Sequence, residues 1–536
     1  GARATPAATL AATGAGRGVV RLDVTGPNDF KVHREVPIWV RPSRAGASLI
    51  ASSEVPPGAT VRVSPPTDRF IAGTWRASAT YGGAVRYDVA GMVAALERFP
   101  LSCLEQATSR GFPLALLPDG PIAGPDRAGR LQQAVGRVLD RQRYDGGFAM
   151  WQSGGEAEPW LSIYATEFLL RARAAGAAVT DQAITDALKF VAEGRETGNS
   201  EATGLATQAY RLYVLALAGQ GQPGAARVMA EHVDRLPTPL AKAQLGAALA
   251  LAHDVPRAEK AFNAALNSPG RRWWSFDYGT GLRDQAAIAL LLKESGVDAN
   301  RLSRLISTLP GGDLSPDSLS TQEQAWLAAA GTVLGQGLKP VRISIGGKEL
   351  PAAPVASVNL TQAVEVRNLG DQPVWQSVVV SGVPAQPVPA GRSQMRISRQ
   401  FMTMDGQPLD LDNLKQNTVF VILLEGRAED GQPHQAMIQH GLPAGWEIAG
   451  RFGGGDVPGL SWLGKLSETE AQPAADDRYA AVVSLTPQAA AFRLAVRVRA
   501  VTPGTFELPG AEASDMYRPG VFARQNAGRI TVLAAE

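Results

Sequence analysis

PWLSIYATEFLLRARAAG, Pro159–Gly176, reads as a helix of more than four turns with apolar side chains on most of its faces. Proline in the first turn suits a helix start, and glycine at the far end suits a stop. A helix without a clear polar face is an inner one, surrounded by other elements. Four later segments repeat its texture: TGLATQAYRLYVLALAG from Thr203, TPLAKAQLGAALALAHD from Thr238, GTGLRDQAAIALLLKESG from Gly279 and STQEQAWLAAAGTVLG from Ser320. The five starts are separated by 44, 35, 41 and 41 residues. That spacing suits a helical-hairpin repeat whose units bury their apolar faces only against neighbours. Between them lie more polar helical stretches such as DRAGRLQQAVGRVLDRQ, Asp126–Gln142. An inner ring of helices inside an outer ring is an α/α toroid, expected over residues 98–337.

Outward from this block the texture changes to strands. VVRLDV, VPIWVRP and TVRVSP precede it, cut by GPND and PPGA turns. VRISIG, AVEVRN, VWQSVVVSG, TVFVILLEGR, YAAVVSL and FRLAVRVRAVTPGTFELPG follow it. Phe492, Leu494, Val496 and Val498 alternate with Arg493, Ala495, Arg497 and Arg499, the mark of half-buried antiparallel strands in a sandwich. The strands before and after the helices are expected to close into one β domain with the toroid inserted in it, since insertion is tolerated where chain ends lie close. The expected division is a flexible tail (1–17), a first β region (18–97), the toroid (98–337), a second β region (338–395) and a C-terminal sandwich (396–536).

Composition narrows the function classes. The chain has 536 residues, 45% of them apolar, and a formal charge of +2, with no basic stripe interleaved with aromatics, so nucleic acid is not an implied partner. No apolar run reaches the roughly 18–20 residues that span a bilayer. GARATPAATLAATGAGRG lacks the charged start and apolar centre of a signal peptide, and reads as a tether or the cut end of a longer chain. The single cysteine excludes an intrachain disulfide and a multi-cysteine metal site. No cofactor is implied.

That cysteine lies in LSCLEQATSR, Leu101–Arg110. Ser102-Cys103-Leu104-Glu105 fits the capping-box pattern, with Ser102 capping a helix that begins at Cys103 and Glu105 reaching back to the Ser102 amide. The bland reading is an ordinary helix start with a small buried thiol. A sharper reading takes in Gln106, three residues from Cys103 and therefore on the same helical face. A thiol at a helix N-terminus has a depressed pKa. Against a primary carboxamide it could displace ammonia and leave an internal thioester, a single-use electrophile for a passing amine or hydroxyl.

These residues resemble a known family. CLEQ followed by ATSRGFPL is similar to the thioester segment of bacterial alpha-2-macroglobulins. RQRYDGGFAMWQSGGEAEPWLSIYATEFLLRAR and SFDYGTGLRDQAAIALLLKESG resemble hairpins of that family's toroid, and FRLAVRVRAVTPGTFELPGAEASDMYRPGVFAR resembles its last sandwich. The resemblance implies a CUB-like β domain interrupted by the toroid, then a macroglobulin-like receptor-binding sandwich. It further implies a periplasmic or otherwise extracytoplasmic protease inhibitor, held to the inner membrane through an N-terminal region this sequence lacks. A protease cuts an upstream bait, and a surface lysine of that protease attacks the Gln106 acyl carbon. Lysine amines are the expected targets and a monomer the expected state.

A thioester must be kept dry. Burying one large apolar side chain contributes about 1.5–3 kcal/mol. At a factor of ten per roughly 1.4 kcal/mol, one contact leaves the bond exposed roughly 1% to 8% of the time. A domain interface is therefore needed. Met516 and Tyr517 in DMYRPGVF are expected to cover Cys103 and Gln106, with Phe99, Trp160 and Tyr164 as further candidates; Phe148 and Trp151 lie in the same first hairpins.

Two other readings stay open. RYDGGFAMW carries a D-G-G-aromatic motif, Asp145–Gly147, that recurs in α/α toroid enzymes such as terpene cyclases and lyases; the inner helices offer only isolated acids, Glu167, Asp284 and Glu323. A scaffold whose CLEQ never reacts is the other. The histidines His33, His232, His253, His434 and His440 show no catalytic spacing; His434 and His440 share a strand face without a third metal ligand.

Overall fold

The computed structural model describes residues 10–11, 14–27, 29–40, 42, 44, 46–83, 89–97, 103–120, 122–123, 126–194, 201–271, 276–297, 318–335 and 339–535. Eleven helices lie among them: α1 (Val89–Leu96), α2 (Leu104–Leu116), α3 (Arg127–Leu139), α4 (Pro159–Ala174), α5 (Asp181–Glu193), α6 (Glu201–Leu217), α7 (Pro223–Glu231), α8 (Pro239–Leu251), α9 (Val255–Leu266), α10 (Gly281–Ser295) and α11 (Thr321–Gly335).

Six helices form the inner ring. Each of α2, α4, α6, α8, α10 and α11 packs on the next, and α11 returns to α2, so the ring closes. The five repeat segments are five of these helices; the sixth is the one that follows Cys103. Helix α11 is buried along almost its whole length, from Thr321 to Leu334. The outer helices are amphipathic instead. In α3 the buried side chains are Leu131, Ala134, Val135 and Val138, and in α5 they include Ile184, Ala187, Leu188 and Val191. Those i, i+3, i+4, i+7 stripes face the ring while charged residues face solvent.

The helical block is an insertion. Strand Val374–Gly382, after the helices, lies between Ala47–Val55 and Arg76–Gly82, before them, with Val355–Asn359 completing a four-stranded sheet. A second four-stranded sheet likewise mixes Thr60–Val63 with Val364–Asn368, Ile343–Ile345 and Lys348–Glu349. Their shared core holds Tyr81, Ala79, Val366 and Val380.

The last domain is a sandwich of a five-stranded and a four-stranded antiparallel sheet. Gly391–Ser393 already pairs with Phe522–Arg524, so this domain takes chain from just before the expected boundary at 396. Phe492, Leu494, Val496 and Val498 face its core as the alternation predicts. Ala495, on the other face, is also buried, because Leu460, Leu463 and Leu466 cover that side of the sheet. Among the described residues no helix is long and apolar enough to cross a membrane.

Candidate functional site

Helix α2 begins one residue later than the S-x-x-E pattern predicts. Cys103, extended at φ −71° and ψ 177°, is the N-cap, and Gln106 is the third helical residue. The Gln106 N–H donates to Cys103 Sγ at 3.4 Å, and the Cys103 N–H donates to Gln106 Oε1 at 3.4 Å. The capping box is therefore made by Cys103 and Gln106 rather than by Ser102 and Glu105. Cysteine and glutamine satisfy two otherwise orphaned backbone donors reciprocally, as serine and glutamate would. Ser102 lies outside the described residues, as does Phe99. The first amide of the helix, at Leu104, donates to the Met150 carbonyl at 2.8 Å, which ties the cap to the D-G-G-F-A-M loop.

Glu105 points elsewhere, into the ring. It is fully buried, and its Oε1 accepts from Ser109 Oγ at 2.6 Å and Gln322 Nε2 at 3.2 Å, its Oε2 from Thr321 Oγ1 at 2.7 Å. Burial pushes its carboxyl above the usual range, and these three donors pull it back. Gln322 in turn accepts from Arg283 at 3.1 Å and from Trp326 Nε1 at 3.1 Å. The expected role of Glu105 as a reciprocal cap is thus replaced by a bridge between the N-termini of α2 and α11.

The expected depression of the Cys103 thiol is reversed. Burial, reinforced by the nearby Glu105, pushes it up to about 12, and the Gln106 amide and the Tyr517 hydroxyl oppose this only partly. Desolvation of the thiolate outweighs the helix N-terminus.

The cover over Cys103 comes from the last domain. The Tyr517 hydroxyl lies 3.7 Å from Cys103 Sγ, and Met516 and Tyr517 are 7% and 3% exposed. Together with Met437, Ala480 and Val482 of the same sandwich, they belong to one hydrophobic core with Cys103 and the helical ring. Tyr517 packs edge-on against Tyr278, ring centroids 4.8 Å apart, and Tyr278 meets Trp160 at 6.3 Å. Trp160 therefore reaches the cover through Tyr278. Tyr164 serves a different place: it stacks on Trp326 inside the ring and sets its hydroxyl 3.2 Å from Ser109. Phe148 is buried in the same core, and Trp151 donates across the domain seam to Glu470 at 3.5 Å.

Tyr278, Met437, Ala480 and Val482 were not singled out by sequence reasoning. Tyr278 stands in the left-handed region at φ +55°. It is flanked by Asp277, whose carboxylate accepts from Arg271 and Arg283 at 2.7 Å each. Asp284 accepts from the same two arginines, giving a four-charge lattice that fixes the loop. The only sequence signal was the quoted SFDYGTGLRD, which carries all of these but Arg271.

The D-G-G motif has a structural reason. Gly147 N–H donates to Asp145 at 3.2 Å, and a Cβ on Gly146 would lie 2.0 Å from the Asp186 carbonyl oxygen. Glu167 and Asp284 are both buried in arginine contacts, and Glu323 accepts from Thr280 at 2.6 Å. His434 and His440 do share the buried face of strand His434–Gly441. Among the described residues no cluster of three or more His, Cys, Asp or Glu side chains is placed to hold a metal.

Residues 395–520 match the family model described as the bacterial alpha-2-macroglobulin MG10 domain. The chain is 30% identical over 527 residues to alpha-2-macroglobulin of Escherichia coli K12, covering 91% of this chain and 32% of that protein. It is 31% identical over 477 residues to alpha-2-macroglobulin of Xylella fastidiosa Temecula1, covering 81% of this chain and 29% of that protein. It thus spans about a third of the length of the curated relatives it matches. Among solved structures, native E. coli alpha-2-macroglobulin from domain MG7 to the C-terminus superposes with TM-score 0.82 at 26% identity, over 97% of this chain and 88% of that one. Salmonella alpha-2-macroglobulin reacted with methylamine superposes with TM-score 0.81 at 27% identity, over 97% of this chain and 36% of that one. At 30% identity over 91% of its length to one such protein, and with superposition over 97% of its length on a solved structure of one, the chain belongs to the bacterial alpha-2-macroglobulin family.

Proposed function

We propose that this chain is the thioester-bearing part of a protease-trapping inhibitor, not an enzyme, and that Cys103 and Gln106 are the two halves of its internal thioester. The observation that carries the reading is their reciprocal capping contact beneath Tyr517, two side chains held on one helical turn in a dry site. In forming the bond, Sγ attacks the Gln106 carboxamide carbon, the C–Nε2 bond breaks, and ammonia departs with the thiol proton. In capture, a lysine amine of the protease attacks the same carbon and Cys103 leaves as the thiol. An isopeptide-like amide then tethers the protease.

Burial protects this bond in two ways. It excludes water, and it makes the thiolate a poor leaving group, because the surroundings push the Cys103 thiol up to about 12. Lifting the last domain away hydrates the sulfur and removes both restraints together. Met516 and Tyr517 shield the pair in this reading, Trp160 supports them through Tyr278, and Glu105 holds the cap against α11. An extracytoplasmic location, anchoring at the inner membrane and a CUB-like assignment for the inserted-into β domain belong to the same reading.

A toroid enzyme is disfavoured by the ring interior, where Phe112, Tyr164 and Trp326 pack with centroids 4.7–6.0 Å apart. The deciding experiment is intact mass before and after methylamine. The expected result is one ammonia missing from the untreated chain, then one methylamine gained at Gln106 with one new titratable thiol. A free thiol and an ordinary carboxamide at the outset would leave the unreacted scaffold instead.

A further inference from the structure

Beneath the shield lies a buried charge cluster that the capture chemistry does not use. Asp515 is the last residue of strand Ala511–Asp515, and its side chain folds over the turn that follows. Its Oδ1 accepts from the N–H groups of Tyr517 at 2.8 Å and Arg518 at 2.9 Å. That Asx turn sets the direction in which Tyr517 leaves the strand. Its Oδ2 lies 2.8 Å from His434 Nδ1 and accepts from Arg518 Nη2 at 2.9 Å. On the far side of the ring, His434 Nε2 is 2.7 Å from Asp430 Oδ1. Arg518 Nη2 also lies 2.6 Å from His434 Nδ1 and donates to the Pro433 carbonyl at 2.6 Å. The side chains of His434 and Asp515 are both 0% exposed.

We propose that this cluster of Asp430, His434, Asp515 and Arg518 positions the Met516–Tyr517 turn over Cys103, and that loss of the His434 proton loosens the turn. The inference rests on the thioester reading above. Two carboxylates and one guanidinium leave an excess negative charge in a dry site, which an imidazolium cancels. With both nitrogens protonated, the ring donates to Asp515 and to Asp430 at once. A neutral ring has one N–H, so one carboxylate loses its donor. With the proton on Nε2 the bare Nδ1 accepts from Arg518 Nη2, 2.6 Å away, in competition with that group's bond to Asp515, whereas a protonated Nδ1 turns Arg518 onto Asp515 and the Pro433 carbonyl. Because the Asx turn and the Tyr517 hydroxyl are only two residues from that carboxylate, slack in Asp515 reaches Cys103.

The direction of titration agrees with this. Burial works against a charge on His434, yet the bonds to Asp515 and Asp430 outweigh it and the Arg518 repulsion, raising the imidazole above its usual 6.5. A raised group stabilises fully below its unfolded value and loses that contribution as pH rises through the folded one. From the helical ring the turn is faced by the Cys103 thiol, the Tyr278 hydroxyl and Glu105. Burial drives Cys103 and Tyr278 far above neutrality and also raises the Glu105 carboxyl against the pull of its three donors. Glu470 sits on the face of the strand away from His434, with Gln435 and Ser484. It acts on Tyr278 together with Glu158, whose carboxyl is raised by burial and by Glu470 and Glu156. Neither carboxyl is altered in His434→Gln, which therefore separates them from the imidazole.

The test uses the full chain, its His434→Gln and Asp515→Asn variants, and methylamine from about pH 5 to 8, the span an imidazole switches. The rate of thiol release is expressed per unprotonated amine. For the unsubstituted chain it is expected to rise roughly ten-fold across that span, the worth of one charge-assisted hydrogen bond. His434→Gln should be fast and flat; Asp515→Asn, which keeps the turn's acceptor but not its charge, should be faster at every pH. Hydrogen exchange at the Tyr517 and Arg518 amides, corrected for its intrinsic pH dependence, should follow the same pattern and by more than the accompanying change in global stability. Superimposable rate and exchange profiles for the unsubstituted chain and His434→Gln would overturn the clamp. If the chain shows a free thiol before methylamine, the thioester reading fails, and the exchange profiles still decide the clamp by themselves.

Discussion

Two neighbouring helices of the inner ring start with the same device built from different chemistry. At α11, the Glu323 N–H donates to Ser320 Oγ at 3.2 Å and the Ser320 N–H donates to Glu323 Oε2 at 2.8 Å. At α2, Cys103 and Gln106 make the same reciprocal pair at 3.4 Å each way. One box joins a hydroxyl to a carboxylate, which has no leaving group and repels a nucleophile. The other joins a thiol to a primary carboxamide, which has both an electrophilic carbon and ammonia to lose. Under the proposed function, the backbone geometry that stabilises a helix start is also the geometry that sets a nucleophile beside its target. Side-chain identity is what distinguishes the two boxes.

The comparison breaks most severely if the chemistry is swapped. Cys103→Ser turns the α2 box into a hydroxyl–carboxamide cap. Ammonia loss and methylamine uptake should vanish entirely in intact mass, while stability to urea should shift by no more than about 1–2 kcal/mol. Uptake that survives this substitution would show that the box is not the reactive pair.

The next effect concerns the cover, which in the proposed function keeps the α2 box latent. Tyr517→Ala and Met516→Ala should each speed methylamine-dependent thiol release roughly 10–100-fold, the population shift expected for about 1.5–3 kcal/mol of lost burial. No acceleration in either variant would remove the shield from the account.

Smaller effects sharpen the likeness between the two helix starts. Glu105→Ala leaves Ser109, Thr321 and Gln322 without their shared acceptor, and urea unfolding should register a loss of about 1–3 kcal/mol for each donor that finds no water. Ser320→Ala removes one half of the α11 box and should cost about 1 kcal/mol without changing the methylamine rate. A changed rate in that variant would mean that the α11 cap acts on the reactive pair as well as on its own helix.

Much of the fold was legible because its signals are local. The repeat starts at Pro159, Thr203, Thr238, Gly279 and Ser320 fall within two residues of helices α4, α6, α8, α10 and α11. Proline and threonine at those starts act on the nearest turn, and so can be read from a few residues. The same local logic misplaced the α2 cap by one position, because Ser102 and Cys103 both offer a side chain able to accept the N3 amide. A sulfur cap outside the usual Ser, Thr, Asp and Asn set leaves no trace in the pattern.

Of the candidate site, the sequence picked out Cys103 and Gln106, the pair proposed to react, and Met516 and Tyr517 above them. Tyr278 had no signal as an individual residue, since it is packed by a tyrosine from another domain. His434 and Asp515 are far apart in sequence, and the strand pairing that sets Ala436 opposite Asp515 brings them together.

By itself, the sequence determined that there would be a ring of apolar helices, β regions on either side of it, and a thiol one helical turn from a carboxamide; these follow from periodicity and spacing along one strand or helix. Met516 and Tyr517 were named as the cover from the sequence; only the tertiary structure decided the sign of the Cys103 shift and brought Tyr278, Met437, Ala480 and Val482 to that cover. Desolvation and cross-domain contact depend on which surfaces meet, and no nearest-neighbour pattern along the chain encodes that meeting.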